Sequence, residues 1–155
     1  MIYSAARPLI RSGDILAWRG TAPLAKLIRH VEGGSWSHVG VAWAIGGRVL
    51  VLQAQEFTGI NITPLSQLLP CDWVSTGINW TEAVEARALA RVGEAYSYLD
   101  ALRVGLGMRP HSDKICSLFA NAIDGLGLAP EGLTPSLLIE QLMGNGKFPR
   151  PLTAA

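Results

Sequence analysis

Two cysteines and three histidines are the residues of this chain best suited to covalent or proton-transfer chemistry. Cys116 follows Ser112 and Asp113, either of which suits a helix N-cap, so the thiol falls in the first turn of an expected helix over 114–126. Unpaired N–H groups and the positive end of the helix dipole lower a thiol pKa and favour the thiolate, which is the nucleophile. The same N–H groups can receive the oxyanion that forms when a carbonyl is attacked. Against this stands the bland alternative of a small buried hydrophobe, the commonest use of a free cysteine. Cys71 follows Leu68-Leu69-Pro70, has no helix start beside it and reads as structural.

A thiol nucleophile needs a base. His38 sits in Ser37-His38-Val39-Gly40-Val41 at the start of an apolar run, where a histidine breaks the pattern of a buried strand. His111 lies five residues before Cys116 in a Pro-His-Ser loop and is the rival base. His30, beside a Gly-rich exit, reads as a surface residue of an expected helix over 22–32. A base histidine usually needs a third group to fix its tautomer. Gln53 is the one polar side chain inside the run 49–54, and a hairpin centred on Gly46-Gly47 sets it opposite about position 40, near His38. A solvent-facing glutamine is the alternative. No histidine or cysteine has a metal-ligand spacing, and neither glycine pair is followed by the lysine or helix of a phosphate loop, so no metal and no cofactor are expected.

The elements that must hold these residues change character along the chain. Runs over 14–18, 38–45, 49–54 and 73–78 read as strands, with one helix over 22–32 closed by Gly33-Gly34. Thr81 can cap a helix to about 90, residues 96–106 read as a second helix, and 114–126 as a third, closed by Gly127. Thr134-Pro135 opens a fourth that ends near Gly144, because proline suits the first helical position. The Pro-rich tail from Lys147 reads as irregular. Strands first and helices later predict an α+β domain, helices packed on an antiparallel sheet.

With 155 residues the chain is long enough for one domain with its own core, so residues 1–155 are read as a single unit. Apolar residues are 49% and charged residues 16%, which excludes a disordered chain. A formal charge of +1 gives no electrostatic footprint for nucleic acid and no polybasic membrane patch. No apolar run reaches the roughly 18 residues of a spanning helix. Arg7, Pro8 and Arg11 interrupt the place of a signal peptide, so the expectation is a chain made in the cytoplasm without an export signal.

Gly13-Asp14-Ile15-Leu16, Ser37-His38-Val39-Gly40-Val41 and Val51-Leu52-Gln53-Ala54 resemble the histidine half of NlpC-type papain-fold peptidases. Gly93-Glu94-Ala95-Tyr96 and Ile115-Cys116-Ser117-Leu118 resemble the cysteine half, here second in the chain. That order, with Thr134-Pro135-Ser136 after the cysteine helix, is similar to the circularly permuted YiiX-like branch, related to the lecithin:retinol acyltransferase group. The resemblance spans roughly residues 12–140. It implies a papain-like sheet packed against helices, with Cys116 as nucleophile, His38 as base and Gln53 orienting the ring. Tyr96 and Ser117 would line the oxyanion and substrate site. Three departures stand out: Gln53 where the branch often has glutamate, Ala95 for the usual proline, and Leu118-Phe119 for a more usual Glu-Leu. The activity implied is hydrolysis of amide bonds in peptide or peptidoglycan-fragment substrates. A lipid ester or thioester substrate, or a non-catalytic module of a phage tail or wall-associated assembly, are the alternatives.

Overall fold

The computed structural model describes residues 1–20, 34–105, 108–130 and 132–154. The helix expected over 22–32, with His30, lies outside the described residues. A short helix α1 (Tyr3–Ala6) and a 3-10 turn (Arg7–Leu9) lead to β1 (Ile15–Trp18). Strands β2 (His38–Ile45), β3 (Arg48–Gln55), β4 (Gly59–Pro64) and β5 (Cys71–Val74) follow. Helices α2 (Glu82–Ala90), α3 (Tyr98–Gly105), α4 (Cys116–Asp124) and α5 (Pro135–Gly144) precede a last strand, β6 (Arg150–Leu152). No described helix is long and apolar enough to cross a membrane.

The six strands form one sheet in the order β4-β3-β2-β1-β5-β6, antiparallel at every pairing. Its centre is the expected hairpin. Ile45 pairs with Arg48 across Gly46 and Gly47, whose φ values of 57° and 72° are those a tight turn matching the strand twist requires. The pairing continues to Val41 and Leu52, which sets Gln53 opposite position 40 as the spacing predicts.

Period-2 alternation divides the sheet into two faces. Ile15, Ala17, Val39, Val41, Leu52, Ala54 and Ile60 point to one core with α4 and α5, through Phe119, Ala120, Ile123, Leu138 and Ile139. Leu16, Ala42, Val49, Val51 and Trp73 point to a second core under α1 and the Leu65 turn. Helix α4 packs along β2 and β3.

Several boundaries differ from those the sequence predicts. β4 forms where the sequence pattern predicts no element, and the tail expected to be irregular carries β6. The strand expected over 73–78 begins at Cys71 and stops at Val74, because Thr76 turns away to Asp14 and Gly13. The N-cap of α4 is Ile115, not Ser112 or Asp113, and Gly125 in the left-handed conformation ends it, not Gly127. Thr81 and Thr134 cap their helices as expected, accepting from Val84 and Leu137 N–H.

Candidate active site

Cys116 is the first residue of α4, buried at 6% exposure. Ile115, extended at φ −123°, offers no side-chain cap. The first intrahelical bond runs from Phe119 N–H to Ile115 C=O, so the N–H groups of residues 116–118 lie before the ladder begins. Two supports hold this helix start, and neither was visible as a motif. Asp100 accepts from Ser97 Oγ, Ser112 Oγ and the N–H groups of His111 and Ser112. Burial alone would raise its carboxyl; those four donors outweigh it and hold the pKa at about 2. Arg91 bridges Asp113 at 2.6 Å and Glu94 at 3.1 Å, with its guanidinium 5.4 Å from the Phe119 ring centroid. Ser112 and Asp113 cannot cap α4 because Asp100 and Arg91 already occupy their side chains.

Tyr96 is half-buried against the α4 core. Its neighbour Ser97 donates its N–H to Lys114 C=O at 3.0 Å, two residues before Cys116. The strand that the sequence reading missed anchors this segment. Ile60 N–H donates to Glu94 C=O and Gly93 N–H to Ile60 C=O, both at 2.8 Å. A Cβ on Gly59, at φ 72°, would stand 2.2 Å from Glu94 O, so only glycine lets the segment dock. Ser117 is fully buried, and its hydroxyl donates to Leu133 C=O. Of the two groups Ser117 could offer an oxyanion, its backbone N–H remains.

On the second face, His38 Nε2 meets Gln53 Oε1 at 2.7 Å. The ring also packs on Trp18, with centroids 5.4 Å apart. Burial lowers the His38 pKa and the Gln53 acceptor partly restores it, so the net shift is downward. Gln53 is 1% exposed, yet both ends of its amide are used: Oε1 by His38, and Nε2 by Asn61 Oδ1 at 3.3 Å and Thr63 Oγ1 at 3.4 Å. Gly40 makes room for this contact, since a Cβ there would lie 3.3 Å from Gln53 Cβ and 2.6 Å from Val51 Cγ1.

The structure thus joins His38 to Gln53 and gathers Tyr96 and Ser117 near Cys116. It sets His38 and Cys116 on different faces of the sheet. Val39 and Val41 point toward α4, so alternation turns His38 to the opposite face, with Trp18 and Gln53. The helix does not face the ring squarely. The imidazole stands where β2 begins and β3 ends, and the thiol begins the helix that packs on the other face.

The other candidates have structural places. Exposed His111 gives its backbone N–H to Asp100. A cavity of about 280 Å³ lies beside it, lined by Arg109, His111, Ser112, Leu118 and Asn121 and by neither Cys116 nor His38. Burial and the Asp72 carboxylate push the Cys71 thiol up to about 12. Asp14, of the Gly-Asp pair, accepts from Arg11 N–H, Trp73 Nε1 and Thr76 N–H, pinning β1 to β5. Ser136 of Thr134-Pro135-Ser136 accepts from Trp36 N–H and donates to Trp36 C=O, both at 2.9 Å. Among the described residues, no three His, Cys, Asp or Glu side chains gather as a metal site would.

Neither a family profile nor a curated protein sequence matches the chain. A solved structure does, that of YiiX from Escherichia coli O157:H7, described as a metalloprotein of DUF1105. The match has a TM-score of 0.58 at 17% identity and covers 76% of this chain and 67% of that one. The chain has a YiiX-like fold. At this identity the likeness concerns architecture, a six-stranded antiparallel sheet with helices on it, and carries no residue roles from YiiX.

Proposed function

We propose that the chain is a cysteine hydrolase that cleaves amide bonds, with peptidoglycan stem peptides as the substrate class its motifs imply. The observation that carries this reading is the hydrogen bond between half-buried His38 and buried Gln53. A core needs no such pair: an unsatisfied buried amide costs about 1–3 kcal/mol, and an aliphatic side chain would fill the site without that risk. Gln53 Oε1 can only accept, so the proton sits on His38 Nε2 and the lone pair on Nδ1. Nδ1 is then the base.

In this reading Cys116 Sγ attacks the carbonyl carbon and its proton passes to His38 Nδ1. The N–H groups of the first α4 turn receive the oxyanion. As the tetrahedral intermediate collapses, the C–N bond breaks and His38 gives the proton to the leaving amine. Water, deprotonated by Nδ1, then cleaves the thioester and frees the thiol. Burial lowers the His38 pKa, which disfavours the imidazolium and makes the ring a proton acceptor during attack. An amide third residue suits this, since it stabilises imidazolium less than a carboxylate would. The reading requires Sγ and Nδ1 to meet at the open end of β2, because Val39 and Val41 occupy the α4 side just beyond. The metal in the description of YiiX has no set of three His, Cys, Asp or Glu ligands among the described residues here.

The test is mass spectrometry of peptidoglycan fragments incubated with wild type and Cys116→Ala. Shortened stem peptides from wild type alone support the reading. Cleavage by both proteins places the nucleophile elsewhere. Cleavage by neither, with activity on a lipid ester or thioester panel, moves the substrate to the acyltransferase side of the resemblance.

A further inference from the structure

The amide of Gln53 has two orientations that differ only by exchange of Oε1 and Nε2, and each dictates a different His38 tautomer. With Oε1 toward the ring, Nε2 is protonated and Nδ1 carries the lone pair. With the amide nitrogen toward the ring, Nε2 must accept, and the proton moves to Nδ1. A base at Nδ1 exists only in the first. The group that selects the orientation therefore decides whether the imidazole can serve, and it lies on β4, outside the histidine motif.

We propose that Asn61, seconded by Thr63, is the positioning residue that sets the Gln53 amide and through it the His38 tautomer. The chain of constraint starts at a backbone carbonyl. Asn61 Nδ2 donates to Gly59 C=O at 3.0 Å, and a carbonyl can only accept. The same nitrogen donates to Thr58 Oγ1 at 3.0 Å, whose own proton goes to Gln55 Oε1. Asn61 Oδ1 is therefore turned toward β3. There it accepts from Thr63 Oγ1 at 3.0 Å and from Gln53 Nε2 at 3.3 Å. Once the Thr63 proton is given to Asn61, Thr63 Oγ1 offers a lone pair to Gln53 Nε2, at 3.4 Å. Two acceptors thus face the nitrogen end of the Gln53 amide, and Oε1 is left for His38 Nε2 at 2.7 Å. Flipping the amide would set its oxygen against Asn61 Oδ1 and a hydroxyl whose proton is already used. Register makes the array possible: Asn61 pairs directly with Gln53, and Thr63 with Val51 on the same face.

The catalytic meaning of this array rests on His38 acting as base; the tautomer does not. The test reads the tautomer directly and uses no substrate. Long-range ¹H–¹⁵N correlation spectra of ¹⁵N-histidine-labelled protein distinguish a protonated ring nitrogen from one with a lone pair. Wild type above the His38 pKa should show Nε2 protonated and Nδ1 bare. Asn61→Leu removes the main acceptor and should draw the two nitrogen shifts together, as both tautomers become populated; Thr63→Val should do so to a smaller extent. Asn61→Asp keeps an acceptor toward Gln53 and should restore the wild-type pattern, a rescue that a merely space-filling role would not give. An Nδ1-protonated wild type, or unchanged shifts in both Asn61→Leu and Thr63→Val, overturns the proposal. If Asn61→Leu does not fold, the Thr63→Val and Asn61→Asp spectra decide. A correct tautomer pattern in a protein that cleaves nothing leaves this inference standing and removes the hydrolase reading alone.

Discussion

The two cysteines provide an internal comparison, because they are almost equally buried, at 6% for Cys116 and 7% for Cys71. Access therefore separates their alkylation rates little, and thiolate supply should dominate. Cys71 titrates at about 12. At pH 7.5 its thiolate fraction is then about 3 × 10⁻⁵, against roughly one tenth for an ordinary thiol of pKa about 8.5. That is a deficit of about 3,000-fold. The more basic thiolate recovers part of it, since nucleophilicity rises by about 0.4–0.5 log units per pKa unit, or roughly 40-fold over this interval. The net expectation is that Cys116, if the first-turn N–H groups hold it at or below the ordinary value, reacts with iodoacetamide about 10²-fold faster. The assay is timed alkylation between pH 6 and 9, quenched, digested and quantified for the two cysteine peptides. Cys71 should gain close to tenfold per pH unit throughout, while Cys116 should bend toward a plateau within the range. Equal slow rates with the same slope at both cysteines would refute the argument and return Cys116 to the role of a buried hydrophobe.

Hydrolysis should rank the candidate bases: His38→Ala loses all measurable turnover, His111→Ala stays within about tenfold of wild type, and Gln53→Ala falls between, since positioned proton transfer contributes on the order of 10²–10⁴-fold. A dead His111→Ala beside an active His38→Ala would reverse the assignment. Asp100, held at about 2 in the fold, contributes stability that is full above the ordinary aspartate pKa and is lost as pH falls toward 2. Asp100→Asn should therefore lower Tm at pH 7, with a difference from wild type that shrinks between pH 4 and 2; a constant gap would show that its charge is irrelevant. Asp124 is the opposite case: both carboxyl oxygens are buried without a hydrogen-bond partner among the described residues, and burial, with the Asp14 carboxylate, raises its pKa well above the ordinary value. The unfolded chain ionises first, so the group costs stability as pH rises past about 4. Asp124→Asn should raise Tm at pH 7.5 and give no advantage at pH 3.5, as followed by differential scanning calorimetry.

The part of the site that was legible from residues alone is the part governed by local periodicity. Gly46-Gly47 fixes the β2–β3 hairpin, period-2 pairing then sets Gln53 opposite position 40, and His38 lies one same-face neighbour away. Thr134-Pro135 opened α5 for the same local reason. The illegible parts depend on contacts distant in sequence. β4 contains Asn61 and ends on Pro64, poor strand residues that an edge strand tolerates because only one side must pair. β6, with Pro151 at the opposite edge, escaped notice on the same grounds. Ser112 and Asp113 are good caps by type, and only Asp100 and Arg91, 12 and 22 residues away, disqualify them. The face on which a strand residue falls is equally nonlocal. Nothing between residues 37 and 41 says which side α4 will choose.

That choice makes β2 the element on which the functional reading turns. The ring is held from the β3–β4 side, through Gln53, Asn61 and Thr63. The thiol is held from the α4 side, through Asp100, Arg91 and the segment that ends in Lys114. These two support systems share no residue. They are linked through the entry to β2, where Trp36 packs in the α4 core and exchanges two hydrogen bonds with Ser136, two residues before His38. Gly34 allows that clasp, since a Cβ there would fall 2.0 Å from Ser136 Oγ. Trp36 Nε1 also donates to Asp72 at 2.8 Å, which anchors the same segment to β5. The entry to β2 is thus tied to α5 and to β5, and a shift of its first residues would carry the His38 ring relative to α4 while leaving the tautomer array on β3 and β4 intact. Alkylation of Cys116 in the presence and absence of His38 therefore measures the quantity on which the enzyme reading depends, the coupling of ring to thiol. Coupled titration moves the Cys116 pH–rate profile when the imidazole is removed; two independent half-sites leave it where it was.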